Sequence, residues 1–248
     1  MRWPASEPWV VRPLAGRLAL VMISRRPSAI IFDVGGTLLE AENPQLVALR
    51  GSEETAAVDP VRFASAVESV VAEWWAAGGR AAEQDLAATW SEHYRRALVH
   101  LGFEGDAGGA AERLEARFLT TGWRVYADVL PALSLLRRFE LPLGIVSNWP
   151  PTLEATLERA ALRQFFDVVV SSGETGFAKP RPEIFQVAAE RLGLDAEGIW
   201  YIGDSMHDDV VGARGAGMVP LLLDRRERHV THPERLRGLD EIAARLSV

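Results

Sequence analysis

Residues 29–39, which read AIIFDVGGTLL, decide how this chain is expected to fold. Four apolar residues run directly into Asp33, and a short apolar run of this kind is typical of a strand buried on both faces of a parallel sheet. The carboxylate then lies at the carboxyl end of the strand, where open α/β sheets bind their ligands. Gly35 and Gly36 allow a sharp turn and a close approach of an anion to the backbone.

The composition is that of a globular protein with an acidic balance. The 248 residues, 48% of them hydrophobic and 25% charged, suit one sizeable domain or a core with a smaller insertion. A net charge of -7 argues against nucleic acid and anionic membranes as partners. The absence of cysteine excludes disulfides and thiolate chemistry. We expect a cytoplasmic protein, and both a monomer and a homodimer are compatible with these features.

The pattern divides the chain into three regions. Residues 1–27 are rich in proline and arginine and are predicted to be a loosely ordered extension. Residues 45–127 contain no strand-like run and predict an all-helical insertion, a cap over the end of the first strand, with helices near 59–77, 82–101 and 109–121. Residues 28–44 and 128–248 are predicted to form the α/β core.

From residue 128 onward, helices and strands alternate. This alternation predicts a doubly wound, Rossmann-like parallel sheet with right-handed crossovers. The predicted strands are 141–146, 167–170, 199–202 and 219–223, and the predicted helices are 129–139, 151–161, 182–192, 209–216 and 233–246.

Polar residues follow the predicted strands at the points where they end. Carboxylates in one cleft raise each other's pKa unless a cation lies among them, and oxygen ligands without His or Cys favour Mg²⁺. Lys179, the only lysine among 27 basic residues, would add a compact positive charge. Together these groups suit phosphoryl transfer through a carboxylate nucleophile. They are Asp33, Ser147, Asn148, Lys179, Asp204, Asp208 and Asp209.

Each of these motifs alone has a structural explanation. Asp followed by glycine often only forms a turn, and Ser147-Asn148 before Pro150 could be a helix N-cap. The order and spacing of the four motifs, each after a predicted strand, make the combination specific.

The chain resembles the haloacid dehalogenase-like hydrolase superfamily, in the subgroup with a helical cap after the first strand. The first motif, D-x-D-x-T in that family, is matched by Asp33, Gly35 and Thr37. The fourth motif is matched by GDSMHDDVVGA, which begins at Gly203. The resemblance implies that Asp33 is the nucleophile and that Ser147 and Lys179 are catalytic. It implies phosphate binding by Gly36, Thr37, Ser147, Asn148 and Lys179, and Mg²⁺ binding by Asp33, the Gly35 carbonyl, Asp204 and Asp209.

The first motif departs from the family at residue 35. Phosphatases of the family carry a second aspartate there as general acid and base, and this chain has Gly35. General acid–base catalysis contributes roughly 10²–10⁴-fold to rate, so we expect weak activity except on substrates with good leaving groups. His93, His207 and Asp208 are candidate replacement donors, although His93 is more simply explained as a packing residue.

Three functions are compatible with this sequence. The first is a Mg²⁺-dependent phosphatase of low or specialised activity that acts on a small phosphorylated substrate. The second is a non-phosphatase enzyme of the family, such as a dehalogenase. By resemblance, a dehalogenase would carry an aromatic residue at position 35, and a phosphonate hydrolase would need a cap lysine, which residues 45–127 lack. The third is a catalytically impaired module that binds phosphate or another protein.

Overall fold

The computed structural model of the chain describes residues 26–41, 49, 55–76 and 90–246. Residues 1–25 of the predicted extension and residues 82–89 of the predicted helix 82–101 lie outside the described ranges. None of the described helices is both long enough and apolar enough to cross a membrane.

The described strands and helices follow one another in the order that the sequence predicts for most of the core. The strands are β1 (Ala29–Phe32), β2 (Leu39–Ala41), β3 (Trp123–Val125), β4 (Leu143–Ser147), β5 (Val168–Ser171), β6 (Ile199–Gly203), β7 (Val219–Leu223) and β8 (Arg235–Leu236). The α-helices among the described residues are α1 (Pro60–Ala76), α2 (Trp90–His100), α3 (Ala107–Thr121), α4 (Val129–Leu136), α5 (Leu153–Arg159), α6 (Ser172–Thr175), α7 (Pro182–Leu192), α8 (Gly212–Gly215) and α9 (Asp240–Leu246). A π-helix spans Met206–Val211.

The core is a six-stranded parallel sheet in the order β5-β4-β1-β6-β7-β8. The first strand in the chain is therefore central, between β4 and β6. Because all of these strands run in the same direction, the residues that follow β1, β4 and β6 meet at one edge of the sheet. The predicted parallel, Rossmann-like α/β core is confirmed.

Side chains of β1 alternate between two buried layers. Ile30 and Phe32 pack on one face, with residues of α4, α5 and α9, while Ala29 and Ile31 pack on the other face, with residues of α7. All four are fully buried. Burying one such aliphatic or aromatic side chain contributes roughly 1.5–3 kcal/mol, so helices on both faces hold the central strand in place.

The helical segment between β2 and β3 has its own apolar core. Phe63 of α1, Tyr94 of α2 and Leu114 of α3 are buried together, and the Phe63 and Tyr94 ring centroids lie 5.7 Å apart. Each helix thus turns an apolar face towards a core that the three helices share. The helices of this segment can therefore bury their apolar residues against one another without a sheet.

The structure differs from the sequence prediction in three details. A strand, β3, lies within the segment that was predicted to be free of strands, and pairs antiparallel with β2. Three residues are too few to show the alternation that identifies a strand. The predicted helix 233–246 begins only at Asp240, because β8 adds to the sheet edge first. The predicted helix 209–216 is a π-helix followed by α8.

Candidate active site

Side chains from four separate segments meet at the carboxyl end of the sheet. Asp33 follows β1, and its Oδ1 accepts hydrogen bonds from Ser147 Oγ at 2.8 Å and from Lys179 Nζ at 2.6 Å. Lys179 Nζ also donates to Asp209 Oδ1 at 2.6 Å. We call this group, together with Tyr201, the charged floor. The predicted catalytic residues Asp33, Ser147 and Lys179 are thus in direct contact.

Lys179 is 6% exposed and bridges two buried carboxylates. Burial by itself would lower the pKa of this ammonium, but the charges of Asp209 and Asp33 outweigh burial and raise it. Burial raises the pKa of the Asp33 carboxyl, and the attraction of Lys179 offsets only part of that rise. Lysine is the fitting residue here because its ammonium is a compact donor that can reach both acids.

Tyr201 belongs to the charged floor, and the sequence analysis did not identify it. Its hydroxyl accepts from Lys179 Nζ at 3.1 Å and lies 2.9 Å from the Val146 carbonyl oxygen and 3.0 Å from Asp209 Oδ1, either of which can accept its proton. The signal that could have revealed it is a tyrosine inside a fully buried strand, because a buried tyrosine hydroxyl needs a polar partner.

Asp33, Asp204 and Asp209 form the acidic cluster that could hold a divalent cation. Each offers a carboxylate oxygen, and these oxygens all lie within 4.8 Å of one another. Asp204 opens towards solvent, but desolvation by the surrounding protein, followed by the charges of Asp33 and Asp209, raises its pKa to about 7. A cation bound at this cluster would favour the charged form of Asp204. These three carboxylates therefore fit a metal.

Both oxygens of Asp209 have protein partners. Oδ1 accepts from Lys179 Nζ, and Oδ2 accepts from the Ser205 backbone N–H at 2.9 Å. Gly203 is required beneath this carboxylate, because a Cβ at that position would collide with Asp209. Asp209 is therefore arranged to hold Lys179 and the loop after β6, and to contribute negative charge to the cluster.

The two glycines after Asp33 have different surroundings. Gly36 has a φ of +78°, and a Cβ there would collide with the Asp204 carboxylate, so the residue must be glycine. At Gly35 a Cβ would lie 3.6 Å from Trp123 Cη2 and 3.7 Å from Trp149 Cζ3, which is ordinary van der Waals contact. The indole rings of Trp123 and Trp149 thus lie beside the position at which the resemblance implies an aspartate.

The remaining predicted phosphate-binding residues, Gly36, Thr37 and Asn148, differ in their surroundings. Gly35 and Asn148 line the cavity above Asp33, whereas Gly36 and Thr37 are not part of its wall. The Thr37 hydroxyl is buried and has no hydrogen-bond partner among the described residues. The Asn148 amide bonds the backbone of Lys179, accepting from its N–H at 2.7 Å and donating to its carbonyl at 3.0 Å. These two bonds use only one of the two N–H groups of the amide nitrogen, so a contact from Asn148 to phosphate could come from its side chain or its main chain.

The candidate replacement donors differ in their position. His93 is buried in the helical segment, where burial lowers its pKa, and it does not line the cavity. His207 is exposed, with Nδ1 2.9 Å from Asp208 Oδ1, and only Asp208 of that pair lines the cavity. This supports the packing interpretation of His93.

Aromatic side chains also line the cavity above Asp33. The cavity has a volume of about 340 Å³, and Trp123, Trp149 and Phe118 line it together with Glu115. The Trp123 ring centroid lies 4.6 Å from that of Trp149 and 5.1 Å from that of Phe118. We call the three aromatic residues, Phe118, Trp123 and Trp149, the aromatic wall. Trp149 is fixed through its backbone, whose N–H donates to Ser172 Oγ at 3.1 Å and whose carbonyl accepts from it.

Comparison with known sequences identifies hydrolase relatives. The chain is 32% identical over 176 residues to a haloacid dehalogenase-like hydrolase domain-containing protein 3 from Danio rerio, a match covering 68% of this chain and 73% of that one. It is 27% identical over 190 residues to a phosphoglycolate phosphatase from Photorhabdus laumondii, covering 76% of each chain. A phosphoserine phosphatase from Thermus thermophilus is 34% identical over 144 residues, and the match spans 57% of that protein.

Comparison with solved structures shows the same fold. The putative HAD-hydrolase YfnB from Bacillus subtilis, in a crystal structure bound to magnesium, superimposes with a TM-score of 0.77 at 23% identity, covering 90% of this chain and all of that one. The L-2-haloacid dehalogenase from Xanthobacter autotrophicus gives a TM-score of 0.65 at 20% identity, covering 88% of this chain and 97% of that one.

Residues 27–217 match the haloacid dehalogenase-like hydrolase family, which confirms the resemblance drawn from the four motifs. The matched range contains every residue of the charged floor and of the aromatic wall. The chain therefore belongs to the haloacid dehalogenase-like hydrolase family.

Proposed function

We propose that this protein is a Mg²⁺-dependent phosphatase that transfers a phosphoryl group from a small phosphate monoester to Asp33. The observation that carries the proposal is the carboxylate of Asp33 at the carboxyl end of β1, with Lys179 Nζ and Ser147 Oγ within 2.8 Å of its Oδ1. Relatives named as phosphatases and the acidic cluster of Asp33, Asp204 and Asp209 support it.

The roles in the reaction follow from the contacts. Asp33 would attack phosphorus to form an acyl phosphate while the leaving oxygen departs with the bonding electron pair, and water would then release inorganic phosphate and restore the carboxylate. Lys179 and Ser147, already hydrogen-bonded to Asp33, would hold the phosphoryl oxygens. Bound Mg²⁺, held by Asp33, Asp204 and the Gly35 carbonyl with the negative charge of Asp209 beside them, would supply electrostatic stabilisation of the transferring group.

The leaving oxygen would receive no proton from residue 35. Gly35 has no side chain, and the two indole rings beside it carry no carboxylate. We therefore expect efficient turnover only of esters whose leaving group is already a weak base, such as aryl and acyl phosphates. Unactivated alkyl phosphates should be slower by a large part of the roughly 10²–10⁴-fold that general acid catalysis contributes.

The test is hydrolysis of p-nitrophenyl phosphate, acetyl phosphate and one alkyl phosphate, glycerol 3-phosphate, with and without Mg²⁺, by the wild-type protein and by Gly35→Asp. A Cβ fits at residue 35, so the variant can place a carboxyl beside the leaving oxygen and should gain activity on alkyl phosphates. A wild-type protein that hydrolyses the activated substrates only with Mg²⁺ supports the proposal.

A second function is favoured by one observation, the missing acid at residue 35. The charged floor would then bind phosphate without catalysis. If neither the wild type nor Gly35→Asp hydrolyses any of these substrates although both bind Mg²⁺, a phosphate-binding or protein-interaction module is the better account.

A further inference from the structure

We propose that Arg225 is a positioning residue for metal binding, because it holds the loop of residues 34–38 in place against Asp204. This inference rests on the proposed phosphatase function and adds to it a residue that lies outside the four motifs. Two observations carry it: the contacts of the Arg225 guanidinium, and the position of Gly36 beside the Asp204 carboxylate.

The Arg225 side chain bonds the loop directly. Its Nη2 donates to the Thr37 carbonyl oxygen at 2.9 Å, and its Cζ lies 4.0 Å from the centroid of the Tyr126 ring. The Tyr126 backbone N–H donates in turn to the Leu38 carbonyl oxygen at 3.1 Å. Two successive carbonyls are therefore held from outside the loop, one by Arg225 and the other by the residue on which its guanidinium stacks.

The same guanidinium forms an ion pair with Asp128. Arg225 Nη1 donates to Asp128 Oδ2 at 3.0 Å, and Nη2 lies 3.0 Å from Oδ1. Asp128 Oδ2 also accepts from the Leu239 backbone N–H at 3.1 Å, so the carboxylate is itself fixed to the core. The Arg225 side chain is only 15% exposed, and solvent therefore screens the pair weakly. A planar fork can reach these acceptors together, whereas a lysine ammonium is a single point.

The backbone that carries Arg225 is also fixed. The preceding residue, Asp224, is buried, and its Oδ2 accepts from Arg235 Nε at 2.9 Å. The Asp224 carboxylate further accepts from the backbone N–H groups of Arg228 at 2.8 Å and His229 at 2.9 Å. These bonds hold the chain directly after β7, so the guanidinium of Arg225 starts from a defined position.

The loop that Arg225 holds lies against the acidic cluster. Within the loop, the Gly36 N–H donates to the Leu39 carbonyl oxygen at 2.8 Å, which closes a compact turn. The Gly36 backbone is so close to Asp204 that a Cβ would collide with the carboxylate. Because Thr37 is the next residue, a shift of its carbonyl would move the backbone that contacts Asp204. In the proposed function the Gly35 carbonyl, on the same turn, binds Mg²⁺.

The experiment measures the binding of Mg²⁺ to the full-length protein by titration calorimetry. Loss of a supporting contact outside the metal ligands typically costs roughly 10–100-fold in affinity, so Arg225→Met should raise the dissociation constant about tenfold or more. Arg225→Lys keeps a positive charge near Asp128 but lacks the planar fork, and it should raise the constant by less than Arg225→Met does.

Two control variants separate positioning from general stability. Arg228→Met makes the same change at an exposed position of the loop after β7, and should bind Mg²⁺ as the wild type does. Leu157→Ala removes a fully buried side chain of α5, so it should lower stability to urea but leave the affinity for Mg²⁺ unchanged. Circular dichroism shows which variants are folded.

The outcomes separate this inference from the proposed function. Unchanged affinity for Mg²⁺ in a folded Arg225→Met protein would overturn the inference, even if the wild type hydrolyses p-nitrophenyl phosphate. If Arg225→Met does not fold, unchanged affinity in Arg225→Lys overturns it. An equal loss of affinity in Leu157→Ala would also overturn it, because stability alone would then explain the effect.

The opposite combination bears on the phosphatase proposal. Suppose the Arg225 variants bind Mg²⁺ more weakly and both controls bind it normally, while the wild type hydrolyses neither p-nitrophenyl phosphate nor acetyl phosphate. The phosphatase proposal would then be overturned, and the positioning role of Arg225 would stand.

Discussion

The charged floor and the aromatic wall border the same cavity, and they are built in different ways. In the floor, Lys179 Nζ, the Tyr201 hydroxyl and the Asp209 carboxylate are all hydrogen-bonded within the protein. In the wall, the indole nitrogens of Trp123 and Trp149 are buried without a partner among the described residues. A fully bonded polar network fixes the positions of its groups, whereas the buried indole donors of the wall are left unpaired by the described residues. In the proposed function the floor carries the chemistry, and the wall shapes the space beside it.

The strongest test of the floor removes its nucleophile. Asp33→Asn keeps the size of the side chain but cannot form the acyl phosphate, so phosphatase activity should fall by roughly 10⁴-fold or more. The measurement is p-nitrophenyl phosphate turnover with Mg²⁺, beside circular dichroism to show that the fold is retained. Turnover equal to that of the wild type would remove Asp33 from the proposed role.

The next effect concerns the stability of the floor. Lys179→Met leaves Asp33 and Asp209 buried without their cation, and breaking a buried ion pair in this way costs about 3–5 kcal/mol in the free energy of unfolding. Burial already raises the pKa of Asp33, and without the attraction of Lys179 this carboxyl binds a proton still more readily when folded, so the loss should be larger at pH 8 than at pH 5. Urea unfolding without metal measures both quantities. Arg138→Met, at an exposed position, is the control and should change little.

A smaller effect is expected from pH on metal binding. The pKa of Asp204 is about 7 without a cation, and a ligand must lose its proton to bind one. The apparent affinity for Mg²⁺ should therefore fall about tenfold as the pH is lowered from 8 to 6. Titration calorimetry at the two pH values measures this fall. An affinity independent of pH across this interval would show that Asp204 does not limit metal binding.

The smallest effect tests whether Tyr201 positions the floor. Tyr201→Phe keeps the ring and removes a hydroxyl that contacts Lys179 and Asp209, so unfolding should require about 0.5–1.5 kcal/mol less. A positioning role also predicts a lower kcat with little change in KM, because the phosphate ligands themselves remain. A change in stability with no change in kcat would leave Tyr201 as a structural residue only.

The sequence predicts the floor more completely than the wall for a physical reason. Asp33 follows a buried strand and Ser147 ends another, and parallel strands bring their ends to one edge whatever lies between them. Periodicity and strand order were therefore sufficient to bring residues more than 100 positions apart into contact. Lys179 lies on no strand, and its uniqueness in the sequence was the signal that identified it.

The aromatic wall depends on contacts that periodicity does not encode. Trp123 reaches Gly35 because β3 pairs with β2, and neither three-residue strand is long enough to show a pattern. Aromatic residues at helical spacing usually belong to the core, so the pattern around Phe118 predicts only packing, whereas Phe118 is both buried and part of the cavity wall. Glu115 gives no sequence signal at all, because an acid on a helix is most often a solvated residue.

The central position of β1 has a consequence for how the chain must fold. The partners of Ile30 are Leu143 and Trp200. The pairing of β1, the first of the described strands, can therefore be completed only after residue 200 has been synthesised. Contacts between distant residues slow folding because each closes a long loop. The segment around α2 and α3 packs mainly against near neighbours and can form earlier. During synthesis, the four apolar residues that precede Asp33 are thus exposed for longest, which makes this short strand the part of the nascent chain most dependent on protection from aggregation.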